Sequence, residues 1–257
     1  MVADGTLLSV TGEAGALAEV HGGNRTRLFE VLPGGGLTLT GLKLSGGSAA
    51  DGGAAYSHYA NLTFDNCTFD GSIAIDGEGG AVWARRAHVT IEGGEFLGNN
   101  VARYGGAVHA VDGRLKIQGG SRFEGNQANK GGGALFCGRG EPGSNKPLPL
   151  CSMTDAAFVC NSVCPEDQHD DDDEYGDPLT TTSAGGAALF MLAVVDITNS
   201  VFSGNYTANS GEALNGGFET SMVVTGCLFG NNTAGGCGGA ILASFMTLGG
   251  GTQLMDN

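Results

Sequence analysis

The sequence predicts an all-β protein, a right-handed parallel β-helix (solenoid) of about eight to nine coils with about 27 residues per coil. Three observations support this prediction: a motif repeated at a nearly constant interval, apolar residues at alternate positions, and a high glycine content. The chain of 257 residues contains 48 glycines. Glycine inside a helix costs roughly 1 kcal/mol relative to alanine, so a mainly helical fold is excluded.

The repeated motif sets the length of a coil. The tripeptide Gly-Gly-Ala recurs, with a degenerate copy ending at Ala213, and most copies lie 26 or 27 residues apart. Its regular copies end at Ala54, Ala81, Ala107, Ala134, Ala187 and Ala240. A second motif, Phe-x-x-Asn, begins at Phe96, Phe123, Phe158, Phe202 and Phe229. Motifs that recur at 20–50 residues indicate a stacked repeat architecture.

The interval from Ala134 to Ala187 is 53 residues long but contains one Phe-x-x-Asn copy. We therefore interpret it as one coil with two inserted loops, at about residues 138–150 and 162–182. The sequence is expected to form a single β-helix domain over residues 1–257. Because it ends within a motif copy without a polar cap, we expect the chain to be a segment of a longer protein, or its end to be covered.

Within each repeat the apolar residues alternate, which is typical of a strand. A first strand has apolar outer positions and a mostly polar centre. Its copies begin at Leu37, Leu62, Val89, Leu115, Cys151, Val195, Met222 and Met246. A second short strand ends at the motif phenylalanine, and a third starts at the Gly-Gly-Ala alanine. Three short strands per coil, stacked about 4.8 Å apart, describe a parallel β-helix.

The motif asparagines are expected to stack at a turn of successive coils. Asparagine tolerates turn conformations, and its amide can satisfy loop carbonyls. We predict a structural role, not a catalytic one, for Asn99, Asn126, Asn161, Asn205 and Asn232.

The paired motifs resemble the repeats of the chlamydial polymorphic outer membrane proteins over roughly residues 37–257. One copy joins Phe96-Leu97-Gly98-Asn99 to Gly105-Gly106-Ala107-Val108, and a later one joins Phe229-Gly230-Asn231-Asn232 to Gly238-Gly239-Ala240-Ile241. This resemblance implies a pectin-lyase-like fold and the role of a secreted or surface-displayed, adhesin-like rod. The chain departs from that family in showing no signal peptide.

A column of ring side chains marks the third strand. The position after each motif alanine is aliphatic and is expected to face inward, so alternation turns the next position outward. In four consecutive coils that position is a ring residue: Tyr56, Trp83, His109 and Phe136. Exposed ring ladders bind sugar rings or partner proteins. The alternative is structural, with the inserted loops covering the ladder or the ladder facing the core.

The net charge of −15 arises from 27 acidic and 12 basic residues. This balance argues against a nucleic-acid partner. The acidic residues concentrate in one predicted loop, where Asp170, Asp171, Asp172 and Asp173 are candidate Ca²⁺ ligands, although a solvated charge run is the alternative. We expect no other cofactor. No stretch is long and apolar enough to span a membrane, so we expect no membrane insertion by this segment.

Seven cysteines predict an oxidising compartment if the loop cysteines pair. Cys137 and Cys151 flank the first insertion, and Cys160 and Cys164 begin the second, so we predict the bridges Cys137–Cys151 and Cys160–Cys164. Zinc binding is the alternative for these four residues. Two further cysteines, Cys67 and Cys227, occupy an inward position and are expected to be buried free thiols, with Cys237 left over.

The sequence therefore favours a non-catalytic rod outside the cell or on its surface, with carbohydrate or surface protein as the partner. Five Asn-x-Ser/Thr sequons, at Asn24, Asn61, Asn66, Asn205 and Asn231, agree with a secretory route. The alternative is a polysaccharide lyase, hydrolase or epimerase on the same fold. Asp65 and Glu92 would be adjacent carboxylates on the outer side of the first strand, with Lys116 diagonal to Glu92, although a solvated polar face is the commoner explanation.

Overall fold

The computed structural model describes residues 1–2, 5–13, 18–140, 147–164, 185–208, 213–236 and 239–257. Within these residues the fold is an all-β solenoid of about eight turns. Equivalent positions in neighbouring turns are roughly 27 residues apart, as in the pairing of Phe69 with Phe96. The predicted fold class is confirmed.

All 31 elements of the described residues are β-strands. In chain order they are β1 (Leu7–Thr11), β2 (Ala18–His21), β3 (Phe29–Val31), β4 (Gly36–Thr40), β5 (Leu42–Ser45), β6 (Ser48–Ala49), β7 (Ala55–His58), β8 (Asn61–Asp65), β9 (Thr68–Asp70), β10 (Ile73–Ala74), β11 (Val82–Arg85), β12 (His88–Glu92), β13 (Glu95–Leu97), β14 (Asn100–Val101), β15 (Val108–Val111), β16 (Arg114–Gln118), β17 (Arg122–Glu124), β18 (Gln127–Ala128), β19 (Leu135–Gly138), β20 (Leu150–Thr154), β21 (Ala157–Val159), β22 (Ser162–Val163), β23 (Ala188–Met191), β24 (Val194–Thr198), β25 (Val201–Ser203), β26 (Tyr206–Thr207), β27 (Leu214–Thr225), β28 (Leu228–Gly230), β29 (Thr233–Ala234), β30 (Ile241–Gly249) and β31 (Gln253–Met255).

The strands form four faces. Face I contains β1, β4, β8, β12, β16, β20 and β24; face II contains β2, β5, β9, β13, β17, β21, β25, β28 and β31; face III contains the two-residue strands β6, β10, β14, β18, β22, β26 and β29; face IV contains β3, β7, β11, β15, β19 and β23. The long strands β27 and β30 run from face IV into face I and join these faces in one 15-stranded sheet. The prediction of three strands per coil was wrong by one, since face III was not predicted.

The register continues across both long intervals of the chain. Ile117 pairs with Met153, and Leu135 pairs with Ala188, in the same parallel order as the uninterrupted coils. Much of each predicted insertion, including all of residues 165–182, lies outside the described residues.

The centre of the rod is a stack of phenylalanines from the Phe-x-x-Asn motif. Adjacent rings are nearly parallel, with centroids 4.5–5.0 Å apart. The stack consists of Phe69, Phe96, Phe123, Phe158, Phe202 and Phe229, all fully buried. Face I packs its two inward columns of apolar residues into the same core, as the alternation predicted.

The two glycines of the Gly-Gly-Ala motif have different physical roles. The first glycine is left-handed in four copies, at Gly52, Gly79, Gly105 and Gly132, with φ +70° at Gly105, which costs glycine little. The second has no room for a side chain, since a Cβ at Gly106 would lie 1.9 Å from the carbonyl oxygen of Gly133 in the next coil. The motif therefore combines a turn with a close approach of successive backbones.

The motif asparagines form a continuous buried ladder along one corner. At each step an Nδ2 group donates to the Oδ1 of the next asparagine and to a backbone carbonyl of the preceding coil. The same Oδ1 accepts the backbone N–H of the preceding asparagine. The ladder contains Asn99, Asn126, Asn161, Asn205 and Asn232 and ends on Asn257.

The cysteines divide into a bridge and free thiols. Cys137 and Cys151 form a disulfide inside the core, with Cα atoms 6.4 Å apart, so this prediction is confirmed. The prediction of a Cys160–Cys164 bridge was wrong, because both are free thiols. Cys160 is an exposed corner residue with φ +52°, and the chain turns into face III at Asn161 before it reaches Cys164.

Two more thiols lie in the core. Cys67 and Cys227 are free and buried, as predicted, and burial raises the pKa of both. Cys237 lies outside the described residues.

Reduction of the Cys137–Cys151 bridge is expected to lower the free energy of unfolding by about 3 kcal/mol, because the bridge closes a loop of about 15 residues in the unfolded chain. The measurement is urea unfolding with and without reductant. A Cys137→Ala/Cys151→Ala variant is the control, and its unfolding should not respond to reductant. Equal unfolding midpoints for oxidised and reduced wild type would contradict the prediction.

Candidate functional site

The ring residues of the third predicted strand lie on the outer side of face IV. The pairing brings Tyr56, Trp83, His109 and Phe136 into one column on β7, β11, β15 and β19. Tyr56 stacks on Trp83 with centroids 4.5 Å apart, and His109 stacks on Phe136 at 4.6 Å. The structure therefore brings the four predicted residues together as a ladder.

The ladder is much less exposed than the sequence predicted. Trp83 is 9% exposed, His109 4% and Phe136 1%, whereas Tyr56 remains half-buried. The prediction of an open strip of rings was wrong for three of the four residues. For Phe136 the reason is a second, outer layer of side chains, in which Tyr104 and Val111 pack against it.

The outer layer leaves a groove above the ladder. Its volume is about 250 Å³. The floor consists of Trp83, His109 and Phe136, and the walls consist of Glu78, Arg85, Tyr104, Val111, Arg139 and Gly140. We call this feature the face IV groove.

One end of the face IV groove is acidic. Glu78 lies in the loop before β11, and its Oε2 accepts a hydrogen bond of 3.2 Å from the Trp83 indole. The same oxygen lies 3.3 Å from His109 Nδ1, but the angle is unsuitable for a hydrogen bond. Burial lowers the pKa of His109, and this effect exceeds the opposing attraction of Glu78. The imidazole is therefore neutral at neutral pH.

The other end of the groove is basic. Arg85 ends β11, and Arg139, which is 9% exposed, follows β19. Asp112 lies 3.5 Å from Arg85 Nε and 3.7 Å from Arg86 Nε, and it accepts the Gly140 N–H at 3.0 Å. The Asp112 carboxylate therefore contacts both arginines and the Gly140 backbone at the basic end.

The corner at this end contains left-handed non-glycine residues, as other corners of the described residues do. Tyr59, Arg86 and Asp112 occupy the corner between faces IV and I in three successive coils, with φ of +62°, +53° and +56°. Left-handed non-glycine residues are strained and are found preferentially at functional sites. In a chain rich in glycine, these positions retain side chains that contact one another, as in the cation–π contact of Arg86 with Tyr59.

The other sequence-based candidates lie elsewhere or outside the described residues. Asp65 and Glu92 are paired neighbours on face I, whereas the groove lies on face IV. Glu92 accepts a hydrogen bond from Gln118. The proposed Ca²⁺ ligands, Asp170 to Asp173, lie outside the described residues. Within the described part, no three His, Cys, Asp or Glu side chains cluster as a metal site would require.

The three charged groove residues, Glu78, Arg85 and Arg139, were missed by the sequence reasoning. Arg85 lies four positions after its motif alanine, so the same alternation that placed Trp83 also turns Arg85 outward. Glu78 and Arg139 lie at corners, where alternation gives no direction. No signal in a single sequence would have placed Glu78 and Arg139 beside His109.

Comparison with known protein families, with curated proteins and with solved structures found no match to this chain. The described residues also contain no helix long and apolar enough to cross a membrane.

Proposed function

We propose that the protein is a non-catalytic β-helical rod, located outside the cell or on its surface, that binds carbohydrate in the face IV groove. The observation that carries this proposal is the groove itself: an aromatic floor with a carboxylate at one end and guanidinium groups at the other. Sugar recognition typically combines ring faces with a few fixed polar groups. In this groove the walls supply the polar groups, whereas the floor rings expose only 9% (Trp83), 4% (His109) and 1% (Phe136) of their surface.

The extracellular location has separate support. A buried disulfide is typical of oxidising compartments. Four of the five sequon asparagines are exposed, whereas Asn205 belongs to the buried ladder and cannot accept a glycan in the folded protein. The resemblance of the repeats to those of the polymorphic outer membrane proteins also favours a surface-displayed adhesin-like rod.

The test is binding of the purified protein to a glycan array, with Gly140→Phe as the blocking variant. Gly140 lines the groove, has no left-handed φ, and a Cβ there would meet its nearest atom at an ordinary 3.5 Å. A phenylalanine at this position is therefore expected to fill the groove without disturbing the core. We expect glycan affinity to fall at least tenfold.

The matched control is Gly250→Phe, where a Cβ meets no atom within 4 Å and the groove is distant. This variant should bind as the wild type does. Absence of glycan binding by the wild type, or equal binding by the Gly140→Phe variant, would refute the proposal.

The enzymatic alternative retains one supporting observation. Glu78, His109 and Arg85 line one groove, and proton abstraction beside a carboxylate uses groups of this kind. However, Glu78 is the only carboxylate among the described lining residues. Release of new reducing or unsaturated ends from a bound polysaccharide, lost on His109→Asn substitution, would favour the enzyme over the binding rod.

A further inference from the structure

We propose that the exposed sequon asparagines carry N-linked glycans and that the buried one does not. The proposed sites are Asn24, Asn61, Asn66 and Asn231, and the excluded one is Asn205. All five asparagines precede a threonine by two positions, which fits the acceptor sequence. The proposal rests on the secretory route in the proposed function, and the hydrogen bonds of each side-chain amide separate the sites.

Glycan transfer consumes one of the two N–H bonds of an asparagine amide. Nδ2 forms a bond to the anomeric carbon of the first sugar, while the bond from that carbon to the diphosphate of a lipid-linked oligosaccharide donor breaks. The diphosphate leaves with the bonding electrons, and the Nδ2 proton passes to a base. A site must therefore expose its amide and spare one N–H, whereas Oδ1 can keep its hydrogen bonds.

The two sites beside β8 meet this requirement. Asn61 begins the strand and accepts the His88 N–H at 3.0 Å through Oδ1, an atom that the transfer leaves unchanged. Asn66 follows the strand with φ +49°, and its Nδ2 donates one hydrogen bond of 2.8 Å, to Asp65. A Cβ on Gly93 would lie 2.3 Å from Asn66 Oδ1, so this oxygen faces the next coil. The second N–H of Asn66 is therefore available to the transfer.

The other two sites lie in turns that follow strands of face II. Asn24 follows β2 with φ +58°, and Asn231 follows β28 with φ +54°. Their backbone N–H groups donate to the carbonyls of Gly46 and Met255, so the main chain holds these turns. Both side chains are exposed, and a glycan on either would project from the surface of the rod.

Asn205 differs because both of its N–H bonds are used inside the rod. Nδ2 donates to the Phe158 carbonyl at 3.0 Å and to Asn232 Oδ1 at 2.9 Å, and the residue is completely buried. A glycan on Asn205 would remove one of these bonds and would have no space in the core.

The proposed glycans divide the surface of the rod. None of the four sites lines the face IV groove, so the proposed binding site stays clear. Asp65, in contrast, lies between Asn61 and Asn66 in the chain and pairs with Glu92. Glycans on these two asparagines would obstruct a polysaccharide at this carboxylate pair, which favours face IV as the recognition surface.

The experiment is site mapping on the full chain after passage through a eukaryotic secretory pathway. Peptide N-glycosidase in heavy-oxygen water converts each glycosylated asparagine to an aspartate with a labelled oxygen, which peptide mass spectrometry locates. We expect a glycan on all four proposed sites and none on Asn205 of the secreted, folded protein. A bare asparagine among the four, or a glycan on Asn205, would overturn the proposal.

Threonine variants remove single sites without changing an asparagine. Thr63→Val and Thr68→Val should each lose the glycan two positions earlier, because the acceptor sequence loses its hydroxyl. Thr90→Val is the matched control, since Thr90 pairs with Thr63 in the next coil but belongs to no sequon. This control should keep all four glycans. Retention of the glycan at either altered site, or a loss in the control, contradicts the assignment.

A gained site tests the geometry of the left-handed corner. Asn199 follows β24 as Asn66 follows β8, with φ +48°, and it is exposed. Val201 occupies the position where the acceptor sequence needs a hydroxyl, and it is 36% exposed. Val201→Thr should therefore add a fifth glycan. A variant that stays at four glycans would overturn the argument from corner geometry.

The proposal and the proposed function fail in different ways. Bare asparagines in a secreted chain that has formed the Cys137–Cys151 bridge would overturn the modification but leave the oxidising location. Occupied sites in a chain that binds nothing on the glycan array would confirm the modification and overturn the carbohydrate-binding groove.

Discussion

Replacement of Asn99 by alanine is expected to lower the free energy of unfolding by on the order of 4 kcal/mol, because each buried polar group left without a partner costs about 1–3 kcal/mol. Asn99 donates to the Phe69 carbonyl at 3.1 Å and to Asn126 Oδ1 at 3.0 Å, and its Oδ1 accepts the Ser72 N–H at 2.9 Å. The substitution therefore leaves at least the Ser72 N–H and the Phe69 carbonyl without these partners inside the rod.

The adjacent residue provides a matched control. Asn100 begins β14 with an exposed side chain, so Asn100→Ala should change stability by less than about 0.5 kcal/mol. Both variants are compared with the wild type by urea unfolding monitored by circular dichroism. If Asn99→Ala lies within about 1 kcal/mol of Asn100→Ala, the ladder does not stabilise the rod as described.

Most of the fold could be predicted from the sequence, because a solenoid repeats the same packing problem in every coil. Leu62 and Phe64 face inward on β8 as their equivalents do on β12 and β16, so one alternation pattern fixes a whole face. The two-residue strands of face III escaped prediction because Ile73–Ala74 is too short to show any alternation.

The candidate site could be predicted only in part, for a different physical reason. Alternation gives the direction of a side chain within a strand, and it correctly placed Trp83 outside the main core. It says nothing of what lies above that side chain. Tyr104 packs against Phe136, and Arg139 lines the space above the ladder, so that the expected open strip is a small groove in the structure.

The roles of the two glycines in the Gly-Gly-Ala motif could likewise be predicted only in part. Its recurrence revealed the corner, but a single sequence cannot separate a glycine needed for its backbone conformation from one needed for space. In the structure both glycines lack room for a Cβ, since one at Gly105 would lie 2.3 Å from the Val108 carbonyl oxygen. Gly105 in addition has φ +70°, whereas Gly106 has no left-handed φ, so at Gly106 space alone requires glycine.

Gly106→Ala is therefore expected to be among the most damaging single-methyl changes in the rod. A Cβ at this position would lie 1.9 Å from the Gly133 carbonyl oxygen and 2.5 Å from the Gln127 carbonyl oxygen. Both are backbone atoms, so the clash cannot be relieved by rotation of a side chain, and successive coils must separate. We expect a loss of about 3 kcal/mol or more in the free energy of unfolding, at the upper end of overpacking.

Gly125→Ala isolates the conformational effect from the steric one. Gly125 has φ +63°, but a Cβ there meets no atom within 4 Å, so alanine should cost only about 1–2 kcal/mol for the left-handed conformation. Unfolding midpoints of the two variants in urea provide the comparison. A Gly125→Ala variant as unstable as Gly106→Ala would mean that the close approach of the coils at Gly106 costs no more than a left-handed conformation does. We expect Gly106→Ala to be the less stable of the two variants. The space between coils at Gly106 is fixed by backbone hydrogen bonds, such as that from Gly106 N to the Gly132 carbonyl oxygen at 3.1 Å.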